Sequence, residues 1–355
     1  MPTYVIAEAG VNHNGSLDMA KRLIDAAADA GVDAVKFQTF SAAQLVAKHA
    51  PKADYQKRTT DAQESQYEMI KRLELSEKDH DVLLAYARSK DIEFLSTPFD
   101  SSSLLLLTER FGISTIKVSS GDITNAPFLL EIARAARHVI ISTGMCTLTD
   151  VELALGVLAF GFTQPTNAVP DLDGFSQAFA SDEGQAALRE RVSVLHCTTE
   201  YPAPFSEVNL RAMDTLATAF HLRTGYSDHT PGIHIPIAAV ARGAQVIEKH
   251  FTLDRNLPGP DHKASLEPAE LKAMMQAIRD VEGALGDGVK RPTATEWKNR
   301  VIARKSLVAA EPVSTGAPLA VACKRPGSGM SPYEFWRING RPASRDYLTD
   351  ELLDE

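Results

Sequence analysis

The chain has 355 residues, 44% hydrophobic and 23% charged, which is the make-up of an ordinary globular protein and enough length for two domains, one of them a full α/β barrel. A count of 37 Lys and Arg against 46 Asp and Glu leaves a net charge of −9, which repels polyanions and excludes nucleic acid as the main partner. No stretch reaches the roughly 18–20 apolar residues of a membrane span, and the N-terminal MPTYVIAEAG lacks both a basic leader and a signal-length apolar core, so no membrane partner and a cytoplasmic location are expected.

Eight short β-branched runs recur along the chain, each followed by a stretch with helical apolar spacing. TYVIAEAG, from Thr3, ends on Glu8 and a turn holding Asn12 and His13; LDMAKRLIDAAADAG follows as a helix. VDAVKFQ, from Val32, ends on Lys36 and Gln38. The long connection Thr39 to Asp79 comes after a strand, which predicts a lid or substrate contact on the catalytic face. After the helical DHDVLLAYARSKD come IEFLSTPF, from Ile92, with Thr97, and STIKVSSGD, from Ser114, with Lys117, Ser119 and Ser120. HVIISTGM, from His138, carries Ser142 and Thr143. The next connection, Gly161 to Arg191, precedes a strand and is expected on the opposite face as a surface elaboration or subunit contact. VSVLHCT, from Val192, brings His196; LRTGYSDH, from Leu222, brings Ser227, Asp228 and His229; QVIEKHF, from Gln245, brings Glu248 and His250. LPGPDH then places Asp261 and His262 on a loop suited to a polyol, before the helical LKAMMQAIRDVEGALGD.

Eight such pairs predict a (β/α)8 barrel over 1–287, because the count favours a closed sheet over an open one. Barrel active sites form at the C-terminal ends of the strands, and that is where these polar residues fall. A charged connector with helical potential, 288–305, leads to a Pro- and Gly-dense β-rich tail, 306–355, too small to promise a stable core alone. Cys146, Cys197 and Cys323 are odd in number and far apart, which predicts reduced thiols and no zinc site.

The rim residues support specific chemistry. Glu248 and His250 alternate on one strand and so face one side; with His229 on the neighbouring strand they suit a divalent transition metal with open positions. Lys36 and Lys117, with nearby hydroxyls, suit a phosphate or carboxylate, and either lysine could instead form a Schiff base. Glu8 could serve as a general base or pair with a lysine.

The ordered set AEAGVNHNG, KFQTF, STPFD, KVSSGD, STGM, LHCTTEYPAP, SDHT, EKHF, GPDH and KRPGSG closely resembles the N-acetylneuraminate (sialic acid) synthases and their legionaminic and pseudaminic acid relatives. The resemblance spans nearly the whole chain, with Gly161 to Arg191 as the excess. It implies a (β/α)8 TIM barrel followed by a small SAF (antifreeze-protein-like) domain, arranged as a domain-swapped homodimer. It also implies condensation of phosphoenolpyruvate with an open-chain N-acylated hexosamine, either N-acetylmannosamine or a diacetamido-trideoxyhexose. The products would be a nine-carbon 2-keto sugar acid and phosphate, formed with Mn2+, or Mg2+ or Co2+. By the same resemblance His229 and His250 are metal ligands, and Lys36, Thr97, Lys117, Ser120, Ser142 and Ser227 hold phosphoenolpyruvate. Gln38, Tyr201, Asp261 and the partner subunit's Arg325 contact the sugar, and Glu8 handles the attacking water.

Thr199 departs from the Asn of some sialate synthases, which argues against assuming N-acetylmannosamine, while SSGDITN sides with the sialic and legionaminic branch over the pseudaminic one. The alternatives are a pseudaminic acid synthase, a sibling phosphoenolpyruvate aldol enzyme acting on arabinose or erythrose phosphate, which the C-terminal tail and the lack of a further Arg-rich phosphate cluster disfavour, a Schiff-base aldolase using Lys117, and a non-enzymatic sugar- or ice-binding protein.

Overall fold

The structure, a computed structural model, describes residues 2–48, 50–52, 60 and 64–354. It divides into two compact units, Met1–Leu285 and Gly286–Glu355.

All eight predicted strands form in the first unit: β1 (Tyr4–Gly10), β2 (Ala34–Thr39), β3 (Glu93–Pro98), β4 (Thr115–Val118), β5 (His138–Ser142), β6 (Val192–Cys197), β7 (Arg223–Asp228) and β8 (Val246–His250). Parallel ladders join them in the order β3-β2-β1-β8-β7-β6-β5-β4. β3 and β4, at the two ends of that order, lie against each other, so the sheet curls into the near-barrel of a (β/α)8 fold. Helices between the strands bury their apolar faces on its outside. In the first of them, Leu17–Ala30, Ser16 caps the start by accepting from the Met19 N–H, and Gly31, at φ 75°, ends it.

Inside the barrel, side chains stack in layers of period two. Ile6, Ala34, Leu95, Ile140, Leu195 and Val246 form an apolar plug. Two residues further along the same strands, about 6–7 Å higher by strand rise, stand Glu8, Lys36, Thr97, Ser142, Cys197 and Glu248. Another two residues up come Gln38, Phe99, Thr199 and His250. The plug excludes water from below, and every polar group above it must find a partner within its own layer or in a ligand.

The connection Gly161 to Arg191 is a helical elaboration of the outer layer. Its first residues finish the helix Leu148–Thr163, and helices Leu172–Ala180 and Asp182–Arg191 fill the rest. Phe175 meets Phe160 edge-on at 5.3 Å, and Ala178 and Leu188 are buried, so the segment thickens the outer layer. It lies towards the N-terminal ends of the strands, as expected, since the Arg191 guanidinium donates to the carbonyls of Ala136 and Arg137 just before β5.

The second unit begins with the predicted connector, which forms a helix over Ala294–Ala303 with a capping box between Thr293 and Glu296. Beyond it, β9 (Ser306–Ala309) pairs antiparallel with β10 (Val321–Lys324). Leu307, Val313, Leu319, Ile338, Tyr347 and Leu353 are among the residues of a small core that this unit makes for itself. Among the described residues no helix is long and apolar enough to cross a membrane.

Candidate active site

Twelve of the thirteen residues to which the family resemblance gives a role line one cavity of about 270 Å³ at the C-terminal mouth of the barrel: Glu8, Lys36, Gln38, Thr97, Lys117, Ser120, Ser142, Tyr201, Ser227, His229, His250 and Asp261. Arg325 belongs to the second unit.

Strand register explains the convergence. Glu8 pairs in register with Lys36 on one side and His250 on the other, and Ser227 pairs with Glu248. Lys36 forms an ion pair with Glu8, lies 3.5 Å from Glu248 and donates to the Thr97 hydroxyl at 3.1 Å. Lys117 donates to the Ser142 hydroxyl at 2.7 Å and lies 3.6 Å from Glu248, whose carboxylate also accepts from Ser227 at 2.9 Å. Ser120 sits 3.2 Å from the Cys197 sulfur and accepts the Gly144 N–H at 2.9 Å. A Cβ on Gly144 would come within 2.2 Å of the Thr199 hydroxyl, so bare backbone alone fits this wall.

On the other side the His229 and His250 rings lie 5.5 Å apart, with the Tyr201 ring 4.2 Å from His229 and edge-on to His250 at 5.6 Å. His229 Nδ1 is 2.6 Å from the Thr198 carbonyl, so it carries the proton and leaves Nε2 with a free lone pair. His250 Nδ1 is buried with no hydrogen-bond partner among the described residues.

The chain is similar to known proteins over nearly its whole length. The NeuB family matches residues 23–290. The N,N'-diacetyllegionaminic acid synthase of Campylobacter jejuni is 48% identical over 99% of both chains. The chain belongs to the NeuB family. The N,N'-diacetyllegionaminic acid synthase of Legionella pneumophila is 46% identical over 99% of this chain and 94% of its own. Among solved structures, the N-acetylneuraminic acid (sialic acid) synthetase of Leptospira borgpetersenii, in complex with citrate, superposes with a TM-score of 0.67 at 32% identity, covering 84% of this chain and 90% of that one.

In this NeuB-family site the charges divide the labour. Burial pushes the Glu8 carboxyl up, and Glu248 adds to that against the pull of Lys36, so it reaches about 7. Burial acts on Glu248 too, but Lys117, Lys36 and the Ser227 hydroxyl outweigh it and hold that carboxyl down to about 2. Burial lowers the Lys117 ammonium; for Lys36, Glu248 and Glu8 overcome burial and raise it. Burial keeps both histidines below their ordinary value, hence neutral. Burial also lifts Asp261 to about 6, against the pull of Lys36.

Neutral imidazoles, one with a fixed tautomer and one with an unsatisfied buried nitrogen, fit a divalent cation. Among the described residues no third His, Cys, Asp or Glu joins them, because Glu248, expected with the histidines, is taken up by the lysines. Any cation here therefore completes its shell with water and substrate.

Several rim residues expected in the cluster do not line the cavity. Asp228 turns outward to Lys249, His196 bonds the Val208 carbonyl, and Thr143 bonds the Leu195 carbonyl. His13 is buried and accepts from the Gly15 N–H, and His262 is buried with its ring nitrogens on Thr252 and Asn14. Conversely, the long connection after β2 supplies an apolar wall that polar-residue reasoning passes over. Leu45, Met69, Ile70 and Leu73 line the cavity with Val11, Phe40 and Phe99. Met69 and Ile70 belong to the short helix Gln66–Lys71 and Leu73 to the turn after it, and their i, i+1, i+4 spacing is the sign of this wall in the sequence. Residues 49, 53–59 and 61–63 of the expected lid lie outside the described residues.

Proposed function

We propose that the chain condenses phosphoenolpyruvate with an open-chain N-acylated amino sugar, a diacetamido-trideoxyhexose before N-acetylmannosamine, giving a nine-carbon 2-keto sugar acid of the legionaminate or N-acetylneuraminate type and phosphate. The chief support is a cavity that sets two lysines and four hydroxyls opposite a histidine pair, with an apolar wall beside them. The 48% identity to a diacetyllegionaminic acid synthase favours the diacetamido substrate over the pseudaminic precursor. The apolar wall suits N-acyl methyl groups.

Lys36 and Lys117 neutralise the phosphate and carboxylate of phosphoenolpyruvate, and Thr97, Ser120, Ser142 and Ser227 donate hydrogen bonds to them. Gln38, Tyr201 and Asp261 hold the sugar so that its aldehyde carbon faces C3, which converts a bimolecular encounter into an oriented one. The C2=C3 π pair forms the new C–C bond as the aldehyde π pair moves onto its oxygen; water adds at C2, one of its protons passes by way of Glu8 to that alkoxide, and the C2–O bond breaks so that phosphate leaves with the other proton and the ketone remains. Glu8 takes the proton from that water. A divalent cation held by His229 and His250, Mn2+ with Mg2+ or Co2+ as substitutes, would supply Lewis-acid polarisation of the aldehyde oxygen. The remaining parts of the proposal are a cytoplasmic homodimer in which the tail, as an SAF domain, caps the barrel of the other copy and presents the partner subunit's Arg325 to the N-acyl group. Three free cysteines suit a reducing compartment.

Incubation with phosphoenolpyruvate, Mn2+ and a panel of amino sugars should release phosphate only with the right sugar, with a product mass equal to sugar plus pyruvate. No release with N-acetylmannosamine, the diacetamido analogue or the pseudaminic precursor sinks the proposal. The depressed Lys117 ammonium is the one feature favouring a Schiff base; borohydride with pyruvate trapping an adduct on Lys117 would establish that route instead.

Glu8→Gln should lower kcat by about a hundredfold. As a base Glu8 must be ionised, so wild-type activity falls as pH drops through about 7, the value burial gives this carboxyl. The variant should lose that acidic limb; a pH profile of unchanged shape assigns the proton transfer elsewhere.

A further inference from the structure

The turn after β1 lines no part of the cavity apart from Val11, yet its Asn side chains are both committed to a single loop. Asn12, 1% exposed, donates from Nδ2 to the Phe251 carbonyl and to the Ser265 hydroxyl, each at 2.9 Å. Ser265 thus accepts, and its own proton goes to the Asp261 carbonyl at 2.7 Å. The direction is fixed, because a flipped Asn12 amide would set its oxygen against the Phe251 carbonyl. Asn14 repeats the contact further out: it donates to the Pro258 carbonyl at 2.9 Å and accepts from His262 at 3.2 Å, while the other ring nitrogen of His262 meets the Thr252 hydroxyl at 2.7 Å. Gly259 has φ 149°, and a Cβ there would come within 2.7 Å of the His262 ring, so turn and loop meet only because that position is bare.

Within the cavity the same loop delivers the Asp261 carboxylate to a crowded spot above Gly10. A Cβ on Gly10 would lie 3.1 Å from Glu8 Oε1, 3.5 Å from Gln38 Nε2 and 3.6 Å from Asp261 Oδ2. The polar tips of the base and of two sugar-side residues therefore converge on one glycine, and a shift of the Asp261 backbone moves its carboxylate relative to the other two.

We propose that Asn12 and Ser265 are positioning residues: a directed hydrogen-bond relay from the first barrel turn holds the Asp261 backbone and thereby sets the reach of its carboxylate to the sugar. This rests on the function proposed above only in taking Asp261 as a sugar contact.

Ser265→Ala cuts the relay at its middle and leaves the Asn12 bond to Phe251; Asn12→Asp keeps the shape of the side chain and removes the donor. Each should raise the sugar KM by roughly tenfold, with kcat and the phosphoenolpyruvate KM within about twofold of wild type. In the Asp261→Ala background neither change should raise the sugar KM further, since the group they position is gone. Hydrogen–deuterium exchange of the peptide spanning 258–265 reads the clamp without any substrate, and protection should fall there and not in the other barrel loops. Unchanged exchange in both variants overturns the relay. Altered exchange with an unchanged sugar KM, or with both KM values rising together, overturns its role in gripping the sugar. A wild-type enzyme that turns over no amino sugar at all defeats the proposed function, while the exchange measurement still decides whether the relay exists.

Discussion

Replacing Lys249 by Met should destabilise the barrel by about 3–5 kcal/mol, a large fraction of the stability of any domain. Lys249 is fully buried, and its ammonium is held by the Asp228 carboxylate at 2.5 Å and by the Thr230 carbonyl. Asp228 in turn accepts from the Thr230 N–H at 3.0 Å, the Thr230 hydroxyl at 2.9 Å and the Tyr226 hydroxyl at 3.1 Å. Removing the lysine leaves a carboxylate in a dry site without its counter-ion, whereas the methionine chain fills nearly the same volume, so the loss is electrostatic and not a cavity effect. The double change Asp228→Asn with Lys249→Met removes both charges and should recover at least 1 kcal/mol relative to the sum of the single changes. The measurement is the urea midpoint followed by far-ultraviolet circular dichroism, which the barrel helices dominate. Tryptophan fluorescence is a separate probe, since Trp297 and Trp336 both belong to the second unit. A single-variant loss under about 1 kcal/mol, or strict additivity in the double variant, would show that the pair is not coupled in this way.

This ion pair also shows what the sequence makes legible and what it hides. In SDHT and EKHF the inward residues are Ser227, His229, Glu248 and His250, and the residues between them, Asp228 and Lys249, point the other way and find each other. Period two alone separates the two sets, so the site residues and the outward pair are both readable once the strand is known. The same alternation makes the apolar plug two residues below Glu8, Lys36, Thr97, Ser142, Cys197 and Glu248 a feature of the sequence. Parity stops where the strand stops. Asn12, His13 and His262 sit beyond the bulge at Glu8 and Gly10 or on loops, where local sequence does not say which neighbour a side chain will meet. The apolar wall of Leu45, Met69, Ile70 and Leu73 was hidden for a different reason: apolar residues in a helical connection read as core, and only the fold shows that this core borders a cavity.

Substituting His229 or His250 by Ala should reduce Mn2+-dependent turnover by about a thousandfold or more, equivalent to about 4 kcal/mol of transition-state stabilisation. The size of the effect follows from there being only two such side chains. With no third His, Cys, Asp or Glu beside them among the described residues, losing one imidazole leaves a single protein ligand. Burial holds both rings neutral, so neither needs to shed a proton to bind a cation, and the Thr198 carbonyl already fixes the His229 tautomer. The packing around them does not depend on either ring alone, since Tyr201 lies against both, so each variant should fold. Titration of the free Mn2+ resonance by electron paramagnetic resonance reads the site without turnover: wild type should deplete the free ion at about one equivalent, and either variant should not. Full Mn2+ binding by both alanine variants removes the histidine pair as the metal site. Loss of binding with turnover intact would keep the site and show that the reaction runs on the lysines and Glu8 without it.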